Sequence, residues 1–125
     1  PADWFPARPS GAAAWRARAE SVRQEFAGSR WLAGLRPALD PSGPAAERLE
    51  RVAEANGIVV TTGQQPGLFG GPLYTLLKAL SALALADRIE RETGIPCAPV
   101  FWAATDDGDF AEAAWTAVAG EGQVH

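Results

Sequence analysis

Residues 57–72 read GIVVTTGQQPGLFGGP, and this stretch decides the fold. Its first half is a β-branched run bounded by glycines, which is typical of a buried strand, and its second half is a glycine-rich loop. A long helix is predicted from about Pro72 to Thr93, because proline suits a first helical turn and Gly94 suits the position after the last one. Residues 98–104, APVFWAA, form a second strand-like run. The order strand, loop, helix, strand predicts a βαβ unit with parallel strands and a right-handed crossover, and therefore an α/β fold.

Two helices are predicted ahead of this unit. Ser10 can cap a helix from about Gly11 to Ala27, with Gly28 as its stop, and a second helix is expected from about Pro44 to Ala55. Trp15 and Trp31 are expected to pack in the core. We therefore divide the chain into an N-terminal helical segment, 1–56, and the beginning of an α/β core, 57–125.

The long predicted helix carries a wide apolar face, which we expect a sheet and neighbouring helices to cover. Its members are Leu73, Leu76, Leu77, Leu80, Leu83 and Ala84, widened by Leu85 and Ile89. One βαβ unit cannot cover both faces of a parallel sheet, so the core is expected to be incomplete and the isolated chain to be marginally stable and prone to association. Further along, Trp115 to Val118 is predicted as a strand and residues 119–122 as a turn.

Composition excludes some classes of function. The 125 residues carry a net charge of −4 with a pI near 4.9, which does not favour nucleic acid but leaves room for an anionic small substrate. No stretch is long and apolar enough to span a bilayer. Cys97 is the single cysteine, so no internal disulfide can form, which fits a protein of the reducing cytoplasm. We expect its thiol to be buried and inert. His125 is the single histidine, and no Cys/His or Ser/His/Asp set can be assembled around it.

The glycine-rich loop is the first candidate site. Loops that follow parallel strands emerge at one edge of the sheet, where ligands of open α/β sheets bind. The glycines permit positive φ and close approach of a ligand, the following helix N-terminus favours an anion, and two glutamines add neutral donors and acceptors. The candidate binding residues are Gly63, Gln64, Gln65, Gly67, Gly70 and Gly71. A purely structural turn is the alternative, since the spacing matches neither a dinucleotide fingerprint nor a P-loop, and Lys78 is interpreted as a solvated surface lysine.

An acidic loop follows the second strand and should reach the same edge. Asp106, Asp107, Asp109 and Glu112 could hold magnesium, act as a base or accept hydrogen bonds. A solvated acidic turn is the alternative interpretation.

Two motifs resemble the BshC family. Residues 62–75 read TGQQPGLFGGPLYT and are followed by Lys78-Ala79, close to the family pattern T-G-Q-Q-x-G-L-F-x-G-P-L-Y-T with a lysine soon after. Residues 99–110 read PVFWAATDDGDF, close to the family pattern P-V-F-W-x-A-[ST]-[ED]-D-H-D-F, except that Gly108 replaces the family histidine. The two matches have the family's order and a similar separation, and together they are specific.

The resemblance implies a partial Rossmann-like parallel sheet in a cytoplasmic ligase that joins cysteine to glucosaminyl-malate, the last step to bacillithiol. Family members are several hundred residues long, so the chain would be an N-terminal fragment, inactive alone. The ligase label implies a nucleotide-dependent step with ATP or ADP and magnesium. The resemblance adds Tyr74 to the substrate-binding residues, and we assign the catalytic roles to Asp106, Asp107 and Asp109. Two alternatives stay open, namely a generic nucleotide-binding or nucleotidyltransferase-like Rossmann enzyme and a non-catalytic remnant. The sequence does not determine the oligomeric state.

Overall fold

The computed structural model describes residues 7–26, 30–106, 110–115 and 117–124. Its helices are α1 (Gly11–Glu25), α2 (Arg30–Leu35), α3 (Pro44–Glu54), α4 (Leu73–Thr93) and α5 (Phe110–Ala113), with 3₁₀ turns at Arg36–Ala38 and Leu68–Gly70. The strands are β1 (Ile58–Gln64), β2 (Cys97–Ala103), β3 (Ala119–Gly120) and β4 (Gln123–Val124).

The two long strands form the predicted parallel pair. β1 and β2 run in register from Ile58 opposite Cys97 to Gln64 opposite Ala103, and α4 is the crossover that packs on both strands. The peptide N–H of Ala104 also donates to the carbonyl of Gln64 at 3.1 Å, so the pairing extends to the end of β1. The α/β fold with a βαβ unit after N-terminal helices is therefore confirmed.

Helices cover both faces of the strand pair. On one face α2 and α3 form a core cluster whose buried members are Leu32, Leu49, Val52, Ala53 and Ala98. On the other face a second cluster is built on Ala86, Ile89 and Cys97, with Trp15, Ile58, Val60 and Leu85 packed against it. Alternate residues of β1 point to opposite sides, as the period of a strand requires, and so join different clusters. The N-terminal helices thus supply the cover that one βαβ unit lacks. Trp15 and Trp31 pack against these clusters as predicted.

The predicted covered face of α4 is wrong for most of its leucines, although Ile89 is buried and Leu85 packs against the second cluster as predicted. Its buried residues are Ala82, Ala86, Ile89 and Thr93, whereas the leucines at Leu73, Leu76, Leu77, Leu80 and Leu83 are 41–72% exposed. Small side chains let the helix axis approach the strands closely, so the alanine side packs inward and the leucine side points away. The apolar count alone could not separate these two faces.

The other predicted boundaries need smaller corrections. Ser10 stands at the N-cap of α1 in extended backbone but makes no side-chain capping hydrogen bond. The predicted end of this helix at Ala27 and Gly28 lies outside the described residues, and α1 ends at Glu25. The predicted strand from Trp115 to Val118 is wrong in its described part. The short strands β3 and β4 instead pair antiparallel at Ala119–Gly120 and Gln123–Val124, with a turn between them.

Ion pairs fasten α3 to α4 at the amino-terminal end of β2. Arg48 donates to the carbonyl of Cys97 and to Asp87, each at 2.7 Å, and Arg51 donates to Glu90 at 2.6 Å. Glu90 also accepts the Cys97 peptide N–H at 3.2 Å. This network reaches the backbone of β2, so it holds both helices to the sheet. Within the described ranges no helix is long and apolar enough to cross a membrane.

Candidate functional site

The candidate site begins where β1 ends. Gly63 lies opposite Trp102 in the strand pair, and a Cβ at Gly63 would stand 2.9 Å from the Trp102 carbonyl oxygen and 3.0 Å from its Cβ. Such distances are too short for any other side chain, so the close approach of the two backbones requires glycine here. The approach brings Gln64 and Gln65, both half-buried, to the carboxyl end of the sheet.

The loop after the strand folds back on itself. A Cβ at Gly67 would stand 2.8 Å from Gly71 Cα. The three residues after Leu68 have positive φ, which is 54° at Phe69, 90° at Gly70 and 81° at Gly71. Left-handed backbone favours glycine, so Gly70 and Gly71 match their sequence positions, whereas Phe69 adopts the conformation at a cost. The positive φ predicted for this loop is confirmed at its carboxyl-terminal half.

Gly71 also lies against the first turn of α4. A Cβ there would stand 3.2 Å from Thr75 Oγ1, a buried hydroxyl oxygen without a hydrogen-bond partner in the described part of the chain. The N-cap residue of α4, Pro72, supplies no side-chain hydrogen bond to the helix N-terminus. The loop thus closes directly onto the positive end of the helix dipole, which favours an anion.

Side chains from α4 meet Gln64 at this edge. Lys78 Nζ donates to Gln64 Oε1 at 2.8 Å and to the Gly63 carbonyl at 3.1 Å, while Gln64 Nε2 donates to the Tyr74 hydroxyl at 3.2 Å. Lys78 Nζ also lies 5.7 Å from the centroid of the Tyr74 ring, within the range of a cation–π contact. The structure therefore brings Gly63, Gln64 and Tyr74, three of the candidate binding residues, together around the ammonium group of Lys78.

Lys78 is exposed, as predicted for a surface lysine, but its hydrogen bonds to Gln64 and Gly63 were not predicted, because its position well inside a helix did not indicate them. A signal was present in the sequence. Lys78 is the single lysine among eleven basic residues, the rest being arginines. It also stands four residues after Tyr74, a spacing that places both side chains on one face of a helix.

The site is open to solvent and rimmed by aromatic side chains. Phe69 is 87% exposed, Trp102 62% and Tyr74 49%. Exposed aromatics around a polar centre are a usual feature of ligand sites, because they can cover the apolar parts of a bound molecule.

The acidic loop is described only in part. Asp106 is exposed, while Asp107, Gly108 and Asp109 lie outside the described residues, as does the side chain of Glu112. Across the ranges that the structure describes, no three His, Cys, Asp or Glu side chains come together as metal ligands.

The thiol lies at the opposite end of β2 from this site. Cys97 is fully buried, and its burial raises the pKa of the thiol to about 11, so it stays protonated at neutral pH. This agrees with the predicted buried thiol.

Comparison with known proteins gives relatives that share stretches of 66 to 83 residues with this chain. A protein from Heliobacterium modesticaldum is 52% identical over 83 residues, 66% of this chain and 15% of that protein. A protein from Solibacter usitatus is 48% identical over 80 residues, 64% of the chain and 15% of its own length, and one from Bacillus licheniformis is 47% identical over 66 residues, 53% and 12%. Each carries the name "Putative cysteine ligase BshC". The matched part of the chain thus spans about 15% of the length of these relatives or less. No solved structure gives a significant match.

A family model described as "Bacillithiol biosynthesis BshC, N-terminal Rossmann-like domain" matches residues 3–125. The resemblance drawn from the two motifs is thereby confirmed, and so is the Rossmann-like character of the parallel pair. The chain belongs to the BshC family of bacillithiol biosynthesis and corresponds to its N-terminal Rossmann-like domain.

Proposed function

We propose that this domain holds the acceptor in a cysteine ligase that joins cysteine to glucosaminyl-malate in the cytoplasm. The family match and the names of the relatives support a role in bacillithiol synthesis. The single buried thiol at Cys97, with no second cysteine to pair with, is consistent with a reducing compartment.

One observation carries the assignment to the acceptor. Lys78, Gln64 and Tyr74 meet at the carboxyl end of β1, beside a glycine loop that leads into the N-terminus of α4. A lysine charge, a helix N-terminus and two polar side chains suit a carboxylate ligand. Glucosaminyl-malate carries carboxylates on its malate part and hydroxyl groups on its sugar, which the exposed aromatic rim can flank.

The chemistry divides between binding and activation. Ligation forms an amide bond between the cysteine carboxyl carbon and the acceptor amine, and the carboxylate must first be activated. We assign Lys78, Gln64 and Tyr74 to fixing the acceptor, which brings its amine to one place and so lowers the entropic part of the barrier. The resemblance implies that a nucleotide, ATP or ADP, and magnesium take part in this activation.

Calorimetry on the 125-residue chain tests this proposal. We expect glucosaminyl-malate to bind, malate to bind more weakly and glucosamine not to bind, because the carboxylates supply the recognition. Gln64→Ala should weaken acceptor binding by about 3- to 10-fold, the value of one or two neutral hydrogen bonds. Gln24→Ala, at an exposed position of α1, is the matched control and should change nothing. A folded chain that binds glucosamine as well as malate, or neither malate nor the acceptor, contradicts the assignment.

The acidic loop is proposed to contact the sugar hydroxyls, the acceptor amine or a metal ion. Asp107→Asn and Asp109→Asn keep the side-chain shape and remove the charge, so we expect weaker binding of the acceptor or of magnesium. Gly108→His restores the family residue and tests whether its replacement reduces affinity. Unchanged binding of both ligands in the two Asn variants would favour the solvated-turn interpretation.

A further inference from the structure

The single lysine and the single tyrosine of the chain flank one glutamine side chain. Lys78 lies 2.8 Å from Gln64 Oε1, and Gln64 Nε2 lies 3.2 Å from the Tyr74 hydroxyl. The four-residue spacing on α4 sets Lys78 and Tyr74 one turn apart on the same face. Three polar groups therefore form a row along the carboxyl edge of the strand pair.

Elementary chemistry gives this row a direction. An ammonium group only donates hydrogen bonds, so the amide atom that faces Lys78 must be the oxygen. The Gly63 carbonyl accepts a second bond from the same ammonium at 3.1 Å and holds it in place. The amide nitrogen of Gln64 then faces Tyr74, and the phenol oxygen accepts its N–H. The O–H of Tyr74 is left to donate away from Gln64.

We propose that Lys78 is a positioning residue that orients the Gln64 amide, so that the Tyr74 O–H donates to an acceptor oxygen of the bound carboxylate. This inference rests on the proposed function and adds a defined donor to it. Without the ammonium, the Gln64 amide is free to turn, its oxygen can accept the Tyr74 O–H, and the donor is lost to the ligand. Tyr74 is 49% exposed, so its hydroxyl can meet a ligand from solvent.

The orientation can be measured without any ligand. With ¹³C at the tyrosine Cζ the chain gives one signal, because Tyr74 is its sole tyrosine. This resonance moves in opposite directions when the phenol oxygen accepts a hydrogen bond and when the phenol donates one. We expect Lys78→Met and Gln64→Glu both to move it toward the donating phenol, since the carboxylate of the second variant can only accept.

Arg88→Met is the matched control. Arg88 is an exposed cation on the same helix, and it pairs with Glu92 one turn away. It should leave the Tyr74 signal in place, and circular dichroism should show the same helix content in all three variants. A Tyr74 signal that stays at its original position in Lys78→Met overturns the proposal.

A double-mutant cycle then tests the role in binding, with malate as the probe. In the original chain, Tyr74→Phe should weaken malate binding by about 3- to 10-fold, the value of one hydrogen bond to the ligand. In the Gln64→Glu background the O–H is already turned away, so the same change should cost less than about 2-fold. An equal loss of affinity in the two backgrounds contradicts the proposal that the orientation of Gln64 determines whether the Tyr74 O–H donates to the ligand. Gln64→Glu adds a negative charge, but both arms of this comparison carry it.

The two readouts separate this inference from the proposed function. If neither malate nor glucosaminyl-malate binds, the acceptor assignment fails, while the ¹³C measurement still decides whether Lys78 orients Gln64. If malate binds and the Tyr74 signal ignores Lys78→Met, the acceptor assignment stands and the positioning role is wrong.

Discussion

Gly63→Ala should damage stability and the site together. The added Cβ would stand 2.9 Å from the carbonyl oxygen of Trp102, which belongs to the backbone of β2 and cannot move aside as a flexible side chain could. Inserting one carbon into a close-packed place costs about 1–3 kcal/mol, a sizeable part of the 5–15 kcal/mol that holds a typical domain folded. For a domain of this size, that corresponds to a fall in Tm of about 4 °C per kcal/mol.

Urea denaturation and a thermal melt measure the effect, with Gly34→Ala as the matched control. Gly34 lies in α2 with nothing within 4 Å of its added Cβ and without a positive φ, so alanine there should stabilise by about 0.4–1 kcal/mol. The Gly63 carbonyl also accepts a hydrogen bond from Lys78. A shift of β1 caused by the alanine side chain would move this carbonyl, so we expect the variant to bind malate less tightly. A Gly63→Ala variant as stable as the original chain would show that the added Cβ fits beside the Trp102 carbonyl oxygen without strain. The argument that this position requires glycine would then fail.

Three further predictions concern the rest of the domain. The hydrogen bond from Arg51 lowers the pKa of Glu90 below its ordinary 4.5, so the ionised carboxylate stabilises the fold fully above pH 4.5 and this stabilisation is lost as the pH falls through the lowered value. In Glu90→Gln the free energy of unfolding, measured by urea titration, should fall less at acid pH, and an unchanged dependence on pH would contradict this. Because burial raises the pKa of Cys97 to about 11, a thiol reagent at pH 8 should react only on unfolding, and rapid reaction with the native chain would refute the burial. Leu77→Gln with Leu80→Gln should change the free energy of unfolding by less than about 1 kcal/mol and reduce self-association in sedimentation runs, whereas a larger loss of stability would mean that this face is packed.

The order of strands and crossover could be predicted because its signals are local. Residues 57–62 combine β-branching with flanking glycines, and Pro72 and Gly94 bracket the helix between the strands. Parallel pairing then follows from general rules of chain connection. The glycines were predictable for the same reason, since Gly70 and Gly71 adopt the positive φ that glycine allows at low cost.

The facing of α4 could not be predicted in the same way. Hydropathy favours leucine over alanine, but the helix packs inward with Ala82 and Ala86, because contact with two strands depends on how closely the backbones approach. The role of Lys78 escaped for a related reason. Its partners are a backbone carbonyl fifteen residues away in sequence and a glutamine side chain fourteen residues away, and only the fold brings them within hydrogen-bonding distance.

The two ends of β2 divide the work of the domain. At its amino-terminal end, Arg48 and Glu90 bind the backbone of Cys97, and these charged contacts fasten two helices to the sheet. At its carboxyl end, Lys78 and Gln64 meet in an open site whose groups are half-buried or exposed, so their interactions add little to folding and remain available to a ligand. Substitutions of Arg48 and Glu90 should therefore act on stability and leave the orientation of Gln64 unchanged, while substitutions of the Lys78 and Gln64 side chains should act on binding at nearly constant stability. This separation follows from the parallel arrangement, because the carboxyl ends of both strands reach one edge and leave the opposite edge free for structural contacts.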